Sequence, residues 1–157
     1  MAYHDDLLVQ ALDLVHVSPP TQLSLRRAVS AAYYAVFHFL ISEATLNWGN
    51  ASLRTSLGRA YDHATMKTAS NRILSTKDFP FAGEDAAVVS SLRFVARSFS
   101  QLQEDRHFAD YNLAKNLDHG EALAQVKSAE EIFKTWPSIR GQQIAQAYLV
   151  SLLVKRT

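Results

Sequence analysis

One uninterrupted stretch decides the fold. It runs from Thr21 to Trp48 and reads TQLSLRRAVSAAYYAVFHFLISEATLNW. After the pair Pro19-Pro20 it contains neither glycine nor proline, and alanine, leucine and aromatic residues fill most of it. Thr21 is a typical N-cap residue, so the pattern predicts a helix over about 22–48. At 1.5 Å per residue this helix is about 40 Å long, which suits the central element of a helical bundle.

The remaining sequence predicts five further helices, because apolar residues recur every three or four positions between the glycines and prolines. The predicted ranges are about 5–16, 52–74, 84–108, 121–136 and 138–155. Pro137 is expected to end the fifth helix and Ser138 to cap the sixth, while 77–81 is expected to form a turn or loop. No stretch predicts a strand. The sequence thus predicts an all-α fold: a single domain over 1–157, an antiparallel up-and-down bundle with four long core helices and additional shorter ones.

Composition excludes several classes of protein. The chain has 157 residues, of which 48% are hydrophobic and 20% charged, as expected of a folded domain. It has no cysteine, which excludes disulfides, thiolate zinc sites and a cysteine nucleophile. The common nucleotide-binding loops and the hydrolase elbow are absent. No cofactor is predicted.

The charge and the ends of the chain bear on partners and location. A net charge of +1 means that binding to nucleic acid would require a local basic patch. The sequence shows no signal peptide and no apolar stretch of the roughly 20 residues that cross a bilayer, so we expect a cytoplasmic protein without membrane contact.

Arg106 stands where the fourth helix should bury an apolar residue. It lies 18 residues, or five turns, after Val88, and so points in the same direction as that apolar residue. A buried guanidinium needs a partner, and Asp110 is the nearest carboxylate along the helix. Two interpretations remain open: a structural ion pair with Asp110, or a cation held in a pocket for a phosphate.

The long second helix carries a narrow polar stripe. Arg27, Ser30, Tyr34 and His38 fall within an arc of about 80° at 100° per residue. Such a stripe can face solvent, or it can face a second copy of the chain or a ligand groove. Tyr34 and His38 are suited to stacking on bases or to proton transfer.

Two other groups of side chains have weaker patterns. Arg59, His63 and Lys67 form a basic row at four-residue spacing, which is more typical of a solvated face than of an RNA-binding surface. His107, Asp110 and His119 lack the spacing of a known metal motif, so no metal is predicted.

Two segments resemble the HEPN domain family. Residues 25–38, LRRAVSAAYYAVFH, are similar to the second-helix signature of bacterial HEPN domains, and residues 106–111, RHFADY, are similar to the Arg-x-x-Ala-Asp-Tyr motif of one branch of that family. The resemblance implies a helical bundle that usually forms a homodimer. It also implies a role in a toxin–antitoxin or defence system, because many members are encoded beside a small nucleotidyltransferase.

Active members of that family are metal-independent endoribonucleases, whose motif is an arginine followed after four to six intervening residues by a histidine. Arg106 matches the arginine, but the positions five to seven residues later are Tyr111, Asn112 and Leu113. His107 follows Arg106 directly, about 100° around the helix. The resemblance therefore favours a member without catalytic activity, which binds RNA, a nucleotide or a nucleotidyltransferase partner.

The candidate binding residues are Arg27, Tyr34, His38, Arg106, Asp110 and Tyr111. The first alternative is a divergent metal-independent endoribonuclease that uses Arg106 with His38 or His107. The second is a purely structural dimerisation module. Its apolar surface would include Tyr148, Leu149, Leu152 and Leu153, because the terminal helix is apolar around most of its circumference.

Overall fold

The computed structural model describes residues 2–75 and 83–155, and the predicted loop at 77–81 lies outside these ranges. Within them the chain is helical and contains no strand, which confirms the predicted all-α bundle. The helices are α1 (Tyr3–Val15), α2 (Gln22–Thr45), α3 (Arg54–Gly58), α4 (His63–Leu74), α5 (Ala86–Tyr111), α6 (His119–Ile139) and α7 (Gln143–Ser151), and a 3₁₀ turn at Ala51–Leu53 precedes α3. None of the helices in these ranges has the length and hydropathy of a membrane span.

Helix α2 is the central element, as predicted. It begins with a reciprocal cap, in which the Thr21 hydroxyl accepts from the Ser24 amide and the Ser24 hydroxyl oxygen accepts from the Thr21 amide, both at 3.0 Å. It packs against α1, α3, α5, α6 and α7. Fully buried side chains cover much of its circumference; among them are Ala28, Val29, Ala32, Tyr33, Val36 and Leu40. The helix ends at Thr45, one turn before the predicted end at Trp48.

The prediction of one helix over 52–74 is wrong. The segment divides into the 3₁₀ turn, α3 and α4, and a break lies between Gly58 and His63. Asp62 begins a new helix, because its carboxylate accepts from the Thr65 amide at 2.8 Å. Gly58 allows α3 to approach α2 closely, since a Cβ there would lie 3.3 Å from Ile41 Cγ2. The break leaves three long core helices, α2, α5 and α6, where the sequence predicted four.

The break also sets the direction of α4. Lys67 pairs with Glu104 at 3.1 Å, and the Ser100 hydroxyl donates to Asn71 Oδ1 at 2.7 Å, so α4 and α5 are antiparallel. Helix α5 is in turn antiparallel to α2, because Arg26 near the start of α2 contacts the end of α5. The segment after α2 thus returns along that helix, and α4 then runs in the same direction as α2.

Pro137 does not end α6, and Ser138 does not cap α7. The helix continues through Pro137 to Ile139, and the Ser138 hydroxyl donates to the Thr135 carbonyl at 2.6 Å. Arg140 holds this end in place through two hydrogen bonds to the buried Glu43 carboxylate, at 3.0 and 2.7 Å. Tertiary contact with α2 thus outweighs the helix-breaking tendency of the proline, and α7 begins only at Gln143.

The predicted dimerisation surface on the C-terminal segment is wrong for three of its four residues. Tyr148, Leu149 and Leu152 are buried in the core, and Leu153 is partly buried. The Tyr148 hydroxyl also bonds to Ser70 Oγ at 2.8 Å inside the bundle. The segment is apolar on several sides because it packs against α2, α4 and α5 together, which a periodicity analysis of one helix does not reveal.

Candidate functional site

Arg26 fixes the end of α5 against the start of α2. Its guanidinium donates to the carbonyls of Ala109 at 2.9 Å, Asn112 at 2.8 Å and Lys115, all at or beyond the last turn of α5. These carbonyls have no partner inside the helix, so an arginine is a natural cap for them. Sequence analysis did not single out Arg26, although it precedes the candidate Arg27, because its acceptors are more than 80 residues away.

Two further contacts tie down the connection between α5 and α6. Gln22 accepts from the Leu117 amide and donates to the Leu117 carbonyl, both at 2.8 Å. His119 donates through Nε2 to the Val15 carbonyl at 3.1 Å. His119 is therefore a bridge between α6 and the end of α1. Across residues 2–75 and 83–155, no three histidine, aspartate or glutamate side chains are grouped to hold a metal ion.

Arg106 lies in the interior, as its position on the apolar stripe predicts, with 12% of its side chain exposed. Its guanidinium carbon is 5.1 Å from the Tyr33 ring centre and 5.7 Å from that of Tyr34, both on α2. Asp110 approaches to only 3.7 Å, which is longer than a charged hydrogen bond, and Arg106 Nε has no hydrogen-bond partner in the described part of the chain. The cation is thus stabilised by two aromatic faces and a long ion pair.

His63 is the histidine beside Arg106, and sequence analysis had assigned it to a solvated row. Its Nδ1 lies 2.5 Å from the Tyr33 hydroxyl, and its ring stacks on Phe37 with centres 4.1 Å apart. Burial and the Arg106 charge lower the pKa of His63, and burial raises the pKa of Tyr33 despite the opposing charge of Arg106. The Tyr33 hydroxyl therefore stays protonated, and it donates a hydrogen bond to the neutral His63 imidazole. Only the tertiary fold brings these residues together, because His63, the first residue of α4, contacts Tyr33 and Phe37 on α2.

Tyr34 lies between Arg106 and His38. Its ring is 5.7 Å from the Arg106 guanidinium and stacks on the His38 ring with centres 6.4 Å apart. Burial and the neighbouring His63 and His4 lower the pKa of His38, so this imidazole is also neutral near pH 7. Four of the predicted residues, Tyr34, His38, Arg106 and Asp110, thus form one connected group.

The other predicted residues lie elsewhere. Arg27 is exposed, and it has no hydrogen bond or ion pair to the residues the structure describes. His107 is exposed and packs against Tyr111, which is itself 67% exposed, with ring centres 4.9 Å apart. These two residues line an open groove with Leu113, separate from His38. The structure therefore does not bring His107 or Tyr111 to the group around Tyr34.

A cleft of about 540 Å³ opens beside His38, between the start of α1, the C-terminal half of α2, and α3. We call it the His38 cleft. Its lining residues are Ala2, Tyr3, His4, Phe37, His38, Ile41, Ser42, Thr45, Arg54, Thr55, Gly58, Arg59 and Tyr61. The set contains two arginines, two histidines, two tyrosines and a phenylalanine, and no aspartate or glutamate. Arg106 is not among the described residues that line it.

The two arginines of the His38 cleft differ in their contacts. Arg54 is held at the end of α2, where it donates to the carbonyls of Trp48 at 2.9 Å and Leu46 at 3.4 Å. Arg59 is exposed in the break between α3 and α4. The carboxylate of Asp5, which is outside the lining, lies 3.7 Å from His4 Nε2. Sequence analysis had placed Arg59 only in the solvated row, and it had missed Arg54. Neither could be recognised as a cleft residue, because the cleft forms only when the chain returns along α2.

Comparison of the chain with family models, curated proteins and solved structures finds no match. The chemistry of the site therefore has to be argued from its own geometry.

Proposed function

We propose that this protein is a HEPN-like binding module without catalytic activity, and that it binds RNA or a nucleotide in the His38 cleft. One observation carries the proposal: the cleft combines two arginines and two histidines with three aromatic rings, and none of the described residues that line it carries a carboxylate. Phosphate groups are attracted to such a surface, and bases stack on aromatic rings at about 1–3 kcal/mol each. The cleft also has a volume typical of small-ligand sites.

The low net charge of the chain fits a local site. With 16 basic and 15 acidic residues, the molecule as a whole does not attract a polyanion. Attraction has to come from a region where positive charge is not cancelled. The lining of the His38 cleft is such a region.

The arrangement of Arg106 supports binding over cleavage. Attack by a 2′-hydroxyl on its phosphodiester requires a general base and a cation at the same phosphate. His38 lines the cleft, whereas Arg106 does not, and the ring of Tyr34 contacts both. A phosphate bound in the cleft would therefore meet Arg54 and Arg59 rather than Arg106.

A metal-independent endoribonuclease remains the second candidate, and the observation that favours it is His63. The residues first considered with Arg106 were His38 and His107. A neutral His63, bonded to Tyr33 beside Arg106, is a better-placed general base than either. This activity would require Tyr33 or Tyr34 to move so that a phosphate could reach the guanidinium.

The partners implied by the HEPN resemblance are part of the proposal. We propose a homodimer and a nucleotidyltransferase partner in a toxin–antitoxin or defence system. A purely structural dimerisation module is a further alternative, but it loses its expected contact surface because Tyr148, Leu149 and Leu152 are in the core. Light scattering over a range of concentrations measures the oligomeric state.

The test of the proposed function is binding of a labelled single-stranded RNA in the presence of EDTA, followed by fluorescence anisotropy and by gel analysis of the same samples. We expect intact RNA, and binding that weakens about tenfold in His38→Ala because one stacking surface is lost. Arg59→Ala should weaken binding and flatten its salt dependence by about 0.7 in log–log slope, the value for one phosphate contact on a single strand. The control is Arg97→Ala, an exposed arginine on α5 outside the cleft.

Two results would contradict the binding proposal. The first is RNA binding that is unchanged in both His38→Ala and Arg59→Ala. The second is metal-independent cleavage that is lost in Arg106→Ala and in His63→Ala, which would establish the ribonuclease instead.

A further inference from the structure

We infer that the His38 cleft holds one nucleotide unit in a fixed direction, with its base on the exposed ring of Tyr3 beside His38 and its phosphate at Arg54 and Arg59. This inference rests on the proposed function and adds the ligand class and its orientation. It follows from the unequal distribution of aromatic and cationic side chains along the cleft.

The floor of the cleft is a single face of α2, so the rise of that helix gives the length of the cleft. His38 and Thr45 line its two ends and are seven residues apart, a rise of about 10 Å along the helix. Tyr3 lies at the His38 end, where its ring meets that of His38 edge-on at 5.0 Å. Arg54 lies at the other end, held to the carbonyls of Leu46 and Trp48. The span between the two ends is comparable with the length of a nucleoside monophosphate.

The His38 end is suited to a base. Tyr3 is 65% exposed, so its ring offers a free face at the margin of the cleft. The ring of Tyr34 stacks on the His38 ring, which orients the imidazole. A neutral imidazole can both stack on a base and exchange a hydrogen bond with its polar edge.

The opposite end is suited to a phosphate. The two carbonyl contacts of Arg54 leave Nη1 without a bond to the described residues, and the exposed Arg59, five residues later, also lines the cleft. Arginine donates to phosphate oxygens in a planar, two-pronged geometry. The hydroxyls of Ser42 and Thr55 line the same part of the cleft. No lining carboxylate opposes a dianion.

The inference is tested with AMP, UMP, adenosine and inorganic phosphate, each titrated into the full chain by isothermal calorimetry. We expect both monophosphates to bind more tightly than adenosine or phosphate alone. Tyr3→Ala should weaken monophosphate binding about tenfold and leave inorganic phosphate unaffected, and Tyr3→Phe should restore binding because stacking needs only the ring. Arg59→Ala should weaken the monophosphates and inorganic phosphate but not adenosine. Arg97→Ala is the matched control, and urea unfolding of each variant verifies that it is folded.

The outcomes separate this inference from the function on which it rests. If single-stranded RNA binds in a His38-dependent manner but AMP and UMP do not compete with it, the single-nucleotide site is wrong and the binding module stands. If neither RNA nor nucleotide binds, both proposals fail. If Tyr3→Ala weakens inorganic phosphate as much as the monophosphates, or Arg59→Ala weakens adenosine, the proposed direction is wrong.

Discussion

Two arginines lie at the contact between α2 and α5, and they differ in their hydrogen bonding. Arg26 is surrounded by hydrogen-bond acceptors: the carbonyls at the end of α5 and the side chain of Gln22. Arg106 lies three residues before Ala109, the nearest of those residues, but it meets the ring faces of Tyr33 and Tyr34, and its Nε has no hydrogen-bond partner among the described residues.

The position relative to the helix end explains the contrast. Carbonyls in the last turn of a helix lack intrahelical partners, whereas those in the middle are already bonded. A guanidinium that reaches the middle of a neighbouring helix therefore finds only side chains. Arg26 is a structural cap, and Arg106 is a cation retained in the interior without full compensation. This contrast has consequences for stability that can be measured.

The largest effect is expected for Arg26→Ala. It removes several charged hydrogen bonds and leaves the end of α5 uncapped, so the free energy of unfolding should fall by about 3 kcal/mol. Urea denaturation followed by circular dichroism measures the change. The control is the adjacent Arg27→Ala, which is exposed and should change stability by less than about 0.5 kcal/mol. Equal effects of the two substitutions would show that the carbonyl contacts of Arg26 contribute nothing.

A smaller effect is expected for Arg106→Met. Methionine retains much of the apolar stem and removes a cation that has no full partner, so stability should stay within about 1 kcal/mol of the parent or increase. The same denaturation experiment makes the comparison. A loss as large as that of Arg26→Ala would mean that Arg106 is paired in solution, and the contrast between the two arginines would disappear.

The smallest effect is on the pH dependence of stability. The folded-state pKa values of His38 and His63 are both lowered from about 6.5, so the unfolded chain takes up protons at a higher pH than the folded chain. Their contribution to stability is complete above about pH 6.5 and is lost as the pH falls toward the lowered values. The free energy of unfolding should therefore decrease as the pH falls below about 6.5.

Two variants test which groups cause this pH dependence of the free energy of unfolding, that is, the slope of stability against pH. His38→Gln should reduce the slope, because it removes one of the two groups. Arg106→Met should reduce it as well, because the Arg106 charge is one of the causes that lower the pKa of His63. NMR titration of the imidazole signals should show the His63 pKa rising in that variant. A flat stability profile over this range in the parent protein would contradict the assignment.

Part of the site could be predicted from the sequence. The five-turn offset from Val88 correctly placed Arg106 on the buried face of its helix, and the arc on α2 correctly grouped Tyr34 with His38. Both inferences concern one helix at a time, where spacing determines direction. The residues that were missed, Arg26, Arg54 and His63, act across helices or across a chain reversal.

What the sequence determined by itself was the all-α fold and the position of most of its helices. Thr21, the absence of breakers in α2 and the apolar periodicity are local properties, and local backbone geometry converts them directly into structure. The tertiary structure alone decided where the chain reverses and what each polar side chain faces. Asp62 can cap a helix whatever the direction of that helix in the fold. The close packing of Gly58 on α2 is what places the turn of the chain between Gly58 and His63. That reversal brings His63 to Tyr33 and encloses the His38 cleft, because such contacts depend on the relative placement of helices and not on spacing within any one of them.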